Sequence, residues 1–172
     1  TRNAKAQGDR VALREKEFGI WQSFTWREYL DHVRDFSLGL VALGVRPGDK
    51  VAIIGDNRPE WVFAEIAAQA AGAASVGIYQ DSNLTEVAFV IDHCDATIVV
   101  AEDQEQVDKI LDMLERLPKV RHVVYTDPRG LRTYHHPALM PFEDVEEKGR
   151  ALARERERDE LRGTAGCADR DD

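Results

Sequence analysis

The chain has 172 residues, 43% of them hydrophobic and 32% charged, which suits one domain with a real core and excludes a disordered chain. Its formal net charge of -9 repels phosphate backbones, so nucleic-acid binding is excluded as a function class and docking on anionic lipid is disfavoured. No apolar run approaches the roughly 20 residues that cross a bilayer, and the polar stretch Thr1 to Arg10 lacks the apolar core of a signal peptide.

The first predicted element is a β-hairpin. Val11-Ala12-Leu13 and Ile20 to Phe24 are short apolar stretches, separated by Arg14-Glu15-Lys16-Glu17 and Gly19. A helix follows. Thr25 and Glu28 fit a capping box, and Trp26, Tyr29, Leu30, Val33, Phe36, Leu40 and Leu43 recur at helical spacing. Gly44 and Pro47-Gly48 end it.

From Lys50 the pattern alternates. Val51 to Ile54 reads as a strand, Asp56-Asn57 as a helix cap, and Trp61 to Ala71 as an Ala-rich helix with Pro59 in its first turn. Ser75 to Tyr79 is the next strand, and Leu84, Val87, Ala88 and Ile91 mark a helix. Thr97 to Ala101 is a strand. Asp103 and Gln106 suggest a second capping box, before a helix carrying Val107, Ile110, Leu111, Leu114 and Leu117. Pro118 stops that helix, and Val120 to Tyr125 is a strand.

Short apolar strands alternating with helices predict βαβ units: an α/β fold with a mostly parallel sheet, helices on both faces and right-handed crossovers. Strand order is not legible. After Asp127-Pro128-Arg129-Gly130, a turn, Tyr134 to Pro141 reads as a loop. Phe142 to Arg162 is rich in Glu and Arg without a wide apolar stripe, and Gly163 to Asp172 looks unstructured. The last thirty or so residues are therefore expected to lack a packing partner. We divide the chain into residues 1–140, an α/β subdomain, and 141–172, a charged helical or disordered tail.

Ligands of open parallel sheets gather at the carboxyl ends of the strands. Those ends carry Gly55-Asp56-Asn57, Gln80-Asp81-Ser82, Glu102-Asp103 and Thr126-Asp127. The edge is acidic and suits a metal or a cation better than a phosphate. Asp, Asn and Ser there equally serve as helix caps, which is the reading we favour. Walker and GxGxxG motifs are missing. His93-Cys94-Asp95 and His135-His136 lack metal-ligand spacing, and no serine lies in a GxSxG elbow. Cys94 and Cys167 are far apart and form no CxxC pair, which fits a reducing, cytoplasmic setting. No catalytic, cofactor-binding or metal-ligating residue is assigned.

Several stretches, in order and at natural spacing, resemble the N-terminal region of adenylate-forming enzymes, specifically the long-chain fatty-acid–CoA ligases. Phe24-Thr25-Trp26-Arg27-Glu28-Tyr29 is similar to that family's strand-to-helix junction. Gly39-Leu40 and Leu43-Gly44-Val45-Arg46-Pro47-Gly48-Asp49-Lys50-Val51-Ala52-Ile53-Ile54 resemble its "GL…LGVKPGDRVAI" segment. Asn57-Arg58-Pro59-Glu60-Trp61 matches its "NRPEW" element. Ala71-Gly72-Ala73, Gly77-Ile78-Tyr79 and Val90-Ile91-Asp92-His93 continue the series, and Pro141-Phe142-Glu143-Asp144-Val145 resembles the element before the linker to the ATP site. The resemblance covers about residues 9–154.

The resemblance implies an enzyme that joins a fatty acid to coenzyme A through an acyl-adenylate, with ATP, Mg²⁺ and coenzyme A serving the full-length protein. The phosphate loop of type "TSGTTGxPKG", the "YGxTE" segment, the ribose-binding Asp and the catalytic Lys do not occur in this sequence. The chain is thus expected to be an N-terminal part that is inactive alone and needs no cofactor of its own. Gln80-Asp81-Ser82-Asn83 replaces a small-residue, Pro-containing stretch of the family, and the similarity fades beyond Arg154, as a truncation or frameshift would produce. Two other functions compete: a binding or dimerisation module, forming a homodimer or pairing with the ATP-binding part, and a receiver-like or flavodoxin-like regulator built around Asp56.

Overall fold

The computed structural model describes residues 2–168, with side chains up to residue 160. A short helix α1 (Arg2–Gln7) leads into the antiparallel hairpin β1 (Val11–Glu17) and β2 (Ile20–Thr25). Then come α2 (Trp26–Ala42), β3 (Lys50–Ile54), α3 (Pro59–Ala70), β4 (Ala74–Ile78), α4 (Leu84–His93), β5 (Ala96–Ala101) and α5 (Gln104–Met113). A 3-10 turn (Leu114–Arg116), β6 (His122–Tyr125), β7 (Leu139–Pro141) and α6 (Phe142–Ala168) complete it. The expected α/β architecture, with a preceding hairpin, is present.

Five strands form one parallel sheet in the order β4-β3-β5-β6-β7. Alternate residues of the central strands feed two cores. Val51, Ile53, Ile98 and Val100 meet α2, α3 and α6 on one face. Ala52, Ile54, Val99 and Ala101 meet α4 and α5 on the other. Burial on both faces explains why these strands read as unbroken apolar runs.

The helix ends follow the sequence in part. Thr25 and Glu28 form the expected capping box on α2. At Asp103 only half of one forms. Its carboxylate accepts from the Gln106 backbone at 3.1 Å, while the Gln106 side chain is buried and accepts from Lys109 instead. An unexpected complete box joins Asn83 and Glu86 at the start of α4. Asp56-Asn57 does not cap α3. The N-cap position is Arg58, with no side-chain cap bond, because Asp56 is turned toward Gln80.

The expected loop from Tyr134 to Pro141 contains a strand. Leu139–Pro141 pairs with β6, a stretch too short to show periodicity. The charged tail joins the core at its start. The first three turns of α6 pack directly on α2. Phe142 stacks on Phe36 with centroids 4.1 Å apart, and Val145 and Glu146 are buried. The backbones nearly touch: a Cβ at Gly39 would lie 2.0 Å from the Val145 carbonyl oxygen, and one at Gly149 would lie 1.8 Å from that of Asp35. On α6 a narrow seam of Phe142, Val145 and Gly149 needs no wide apolar stripe. Beyond Ala153 the helix is exposed to residue 160, as its charged composition implies. The stretch from Gly163, expected to be unstructured, instead continues α6 as far as Ala168, and residues 169–172 lie outside the described residues.

Polar pairs lock the same seam. Asp35 accepts from Arg34 and Arg150. His32 Nδ1 donates to Glu146 Oε1 at 2.6 Å, with its ring stacked on Phe63 at 4.6 Å. The hydrogen bond to Glu146 holds the His32 pKa above its ordinary value, against partial burial, and the charges of Glu60 and Asp35 add to it.

Two predictions follow from this packing. Gly39→Val forces α2 and α6 apart and should cost about 3 kcal/mol or more, read as a fall in urea midpoint. His32 has a raised folded-state pKa, so its contribution is full below about pH 6.5 and is lost as pH rises through the raised value. Urea midpoints should therefore fall over that window, and His32→Gln should flatten the fall.

Candidate functional site

The strand order fixes where a ligand crevice should lie. From β3 the chain crosses first to β4 on one side and then to β5 on the other, so the topology reverses between β3 and β5. Gly55 follows β3 and Glu102 follows β5, side by side. This is the acidic edge expected from the sequence.

Side chains from three elements close that crevice. Glu102 Oε2 accepts the Asp56 N–H and Oε1 accepts Arg58 Nε, both at 2.5 Å. The Arg58 guanidinium also donates to Glu15 of β1 at 2.8 Å. Gly55 has a φ of +146°, and a Cβ there would lie 2.4 Å from the Glu102 Cβ, so only glycine lets the turn approach Glu102. Burial opposes the charge on Arg58, but Glu102 and Glu15 outweigh it and raise its pKa. Thr126 and Asp127 border the same end. Thr126 Oγ1 donates to the Glu102 carbonyl at 3.0 Å, and Asp127 pairs with Arg129, which lowers its pKa.

The crevice is thus filled by the protein's own cation, Arg58. Sequence reading placed Asp56 and Glu102 correctly on one edge but missed Arg58, whose long side chain turns from the start of α3 back to β5. The signals for it were its place in the Asn57-Arg58-Pro59-Glu60-Trp61 element and its position beside acidic strand ends. Next to this plug lies an open cleft of about 460 Å³ over the ends of β3 and β4, lined by Asp56, Trp61, Tyr79 and Asp81 among others. Tyr79 is 87% exposed.

The remaining candidates are structural. His93 stacks on Phe89, Cys94 caps α4 and donates to the Ile91 carbonyl, and Asp95 pairs with Lys119. His136 Nδ1 accepts the Ala138 N–H within its loop. Among the described residues, no three His, Cys, Asp or Glu side chains converge to hold a metal. Mg²⁺ therefore finds no fitting ligand set here: Glu102 is fully engaged, and Asp56 accepts from Gln80. No helix among the described residues is long and apolar enough to cross a membrane.

Arg58→Ala would leave Glu102 and Glu15 with side chains only 11% and 17% exposed and without their cation. Arg58 itself is 35% exposed, so we expect a loss of about 2 kcal/mol, below the full cost of breaking a buried pair. Arg58→Lys should rescue little, because one ammonium cannot replace the two-sided guanidinium contact. Urea denaturation of the two variants checks this.

Residues 1–159 match the family described as AMP-binding enzyme. The chain is 33% identical over 117 residues to the long-chain-fatty-acid–CoA ligase ACSBG2 of Xenopus laevis, covering 68% of this chain and 16% of that protein. It is 30% identical over 149 residues to ACSBG1 of Bos taurus, covering 86% and 20%. The chain thus spans about a fifth of the curated relatives it matches. Among solved structures, the acetoacetyl-CoA synthetase of Streptomyces lividans superposes with a TM-score of 0.75 at 25% identity, over 84% of this chain and 24% of that one. The anthranilate CoA ligase AuaEII, solved with anthranoyl-AMP, gives 0.72 at 23% identity over 85% and 25%, a likeness of fold. These matches remove the receiver-like alternative, and the chain belongs to the AMP-binding enzyme family, with long-chain-fatty-acid–CoA ligases among its relatives.

Proposed function

We propose that this chain is the N-terminal α/β subdomain of an AMP-forming long-chain fatty-acid–CoA ligase working in the cytoplasm. The observation that carries the reading is the family match over residues 1–159 together with relatives that are long-chain-fatty-acid–CoA ligases. In that reaction the fatty-acid carboxylate attacks the α-phosphate of ATP, and pyrophosphate leaves. The coenzyme A thiol then attacks the acyl carbon, and AMP leaves. Both steps need groups that bind ATP and stabilise charge on phosphate.

In this reading the described residues supply none of those groups themselves. Their role in the ligase is to form one wall of the protein, with its carboxyl edge sealed by Arg58 and Glu102. Exposed Tyr79, Leu84 and Phe89 offer apolar surface for the ATP-binding part to cover. A second reading, a non-catalytic binding or dimerisation module derived from a synthetase, draws on the same exposed side chains. Sedimentation showing a monomer at every concentration would remove it.

The test is ATP–pyrophosphate exchange with palmitate. The isolated chain should give no exchange above blank. Exchange that persists after rigorous removal of host synthetases would overturn the proposal that the chain is inactive alone.

A further inference from the structure

Two histidines meet helix α6, one from α2 and one from β6, and their surroundings carry opposite charge. His32 of α2 hydrogen-bonds Glu146 of α6 at 2.6 Å. The Glu146 side chain is only 8% exposed, and its other cation, Arg150, lies 3.9 Å away while serving Asp35 and Glu147 more closely. The other charged groups that face His32 among the described residues are acidic: Glu28 and Asp35 on α2 and Glu60 on α3. Its ring lies flat on Phe63 of α3 and edge-on to Phe24 of β2, which adds no charge.

His122 opens β6. Val123 enters the core shared with α4 and α5, and Val124 enters the core shared with α2, α3 and α6. By strand alternation His122 lies on the α6 face. Its Nδ1 is buried and, among the described residues, has no hydrogen-bond partner. The charges that face it are Arg121 on its own strand and Lys148 on α6. A neutral ring here leaves one polar atom unpaired, whereas a protonated ring sets a half-buried cation against Lys148.

We propose that His32 and His122 form a two-sided clamp on α6, closed when His32 carries a proton and His122 does not. A proton on His32 draws Glu146, and with it α6, onto α2. A proton on His122 repels Lys148 and pushes α6 away from β6. The two histidines share the ordinary value of 6.5 as their starting point. Glu146 raises His32 above it, so that side holds fully below about pH 6.5 and is lost as pH rises through the raised value. Burial, then Arg121 and Lys148, lower His122, so its side holds fully above about pH 6.5 and is lost as pH falls through the lowered value. The clamp is therefore tightest near pH 6.5 and loosens in both directions. Because α6 rests chiefly on α2, the opening is local: α6 lifts while the sheet stays folded. The device lies wholly among the described residues and stands apart from the ligase reading.

The experiment is hydrogen exchange of the 172-residue chain between about pH 5 and pH 8.5, read by mass spectrometry on peptides from α6 and β5 and corrected for the intrinsic effect of pH. We expect protection of α6 to peak near pH 6.5 and to fall about threefold or more on each side, since one unit of pKa shift is worth tenfold, while β5 changes less. His32→Gln keeps a donor for Glu146 without titrating and should abolish only the alkaline fall. His122→Phe should abolish only the acid fall. Lys148→Glu, an exposed change that offers a protonated His122 a partner, should also remove the acid fall, and it keeps the test open where the buried substitution unfolds the chain. A flat profile, a peak that survives all three substitutions, or an equal loss in β5 would overturn the proposal.

Discussion

The carboxylate of Glu102 holds the carboxyl edge of the sheet together. It lies where the topology reverses, at the end of central strand β5. One oxygen fixes the turn after β3 through the Asp56 N–H, and the other holds Arg58, which reaches on to Glu15 of the hairpin. A ligand crevice in an open α/β sheet usually opens at this point. Here it is an internal ion-pair network linking hairpin, sheet and α3. Among the described residues this edge is structural: Glu102 and Glu15 are spent on holding the hairpin, the turn after β3 and α3 together.

Most of the fold was legible because both signals were strong. Unbroken apolar runs at Val51 to Ile54 and Thr97 to Ala101 can only be strands buried on two faces, and the helices between them carried clear stripes or caps. Strand order was not legible, since the central strands β3 and β5 are apolar on both faces and nothing in their pattern names a neighbour. The cap at Asp56-Asn57 failed for a tertiary reason: Gln80 and Glu102 compete for the atoms that a local cap would use. β7 was missed because three residues carry no period.

Helix α6 shows the limit of reading stripes. Its sequence looks like a solvated charged helix, yet its first turns belong to the core. Glycines at 39 and 149 let α2 and α6 approach backbone to backbone, so a few small residues replace a wide apolar face. Charges that seemed to mark a tail, Glu146 and Arg150, instead pair with His32 and Asp35 across the seam. The candidate site was half legible for the same reason. Sequence reading could place acidic residues at strand ends, but not the arginine that turns back to neutralise them.

A ligase that contains this wall must also encode the phosphate loop of its family. The most direct measurement is the source gene sequence beyond the Asp172 codon, read in all three frames. We predict a phosphate-loop segment of the type "TSGTTGxPKG" within the next few dozen codons. Its absence from every frame would contradict the claim and leave a free-standing module with the fold of a ligase and none of its chemistry.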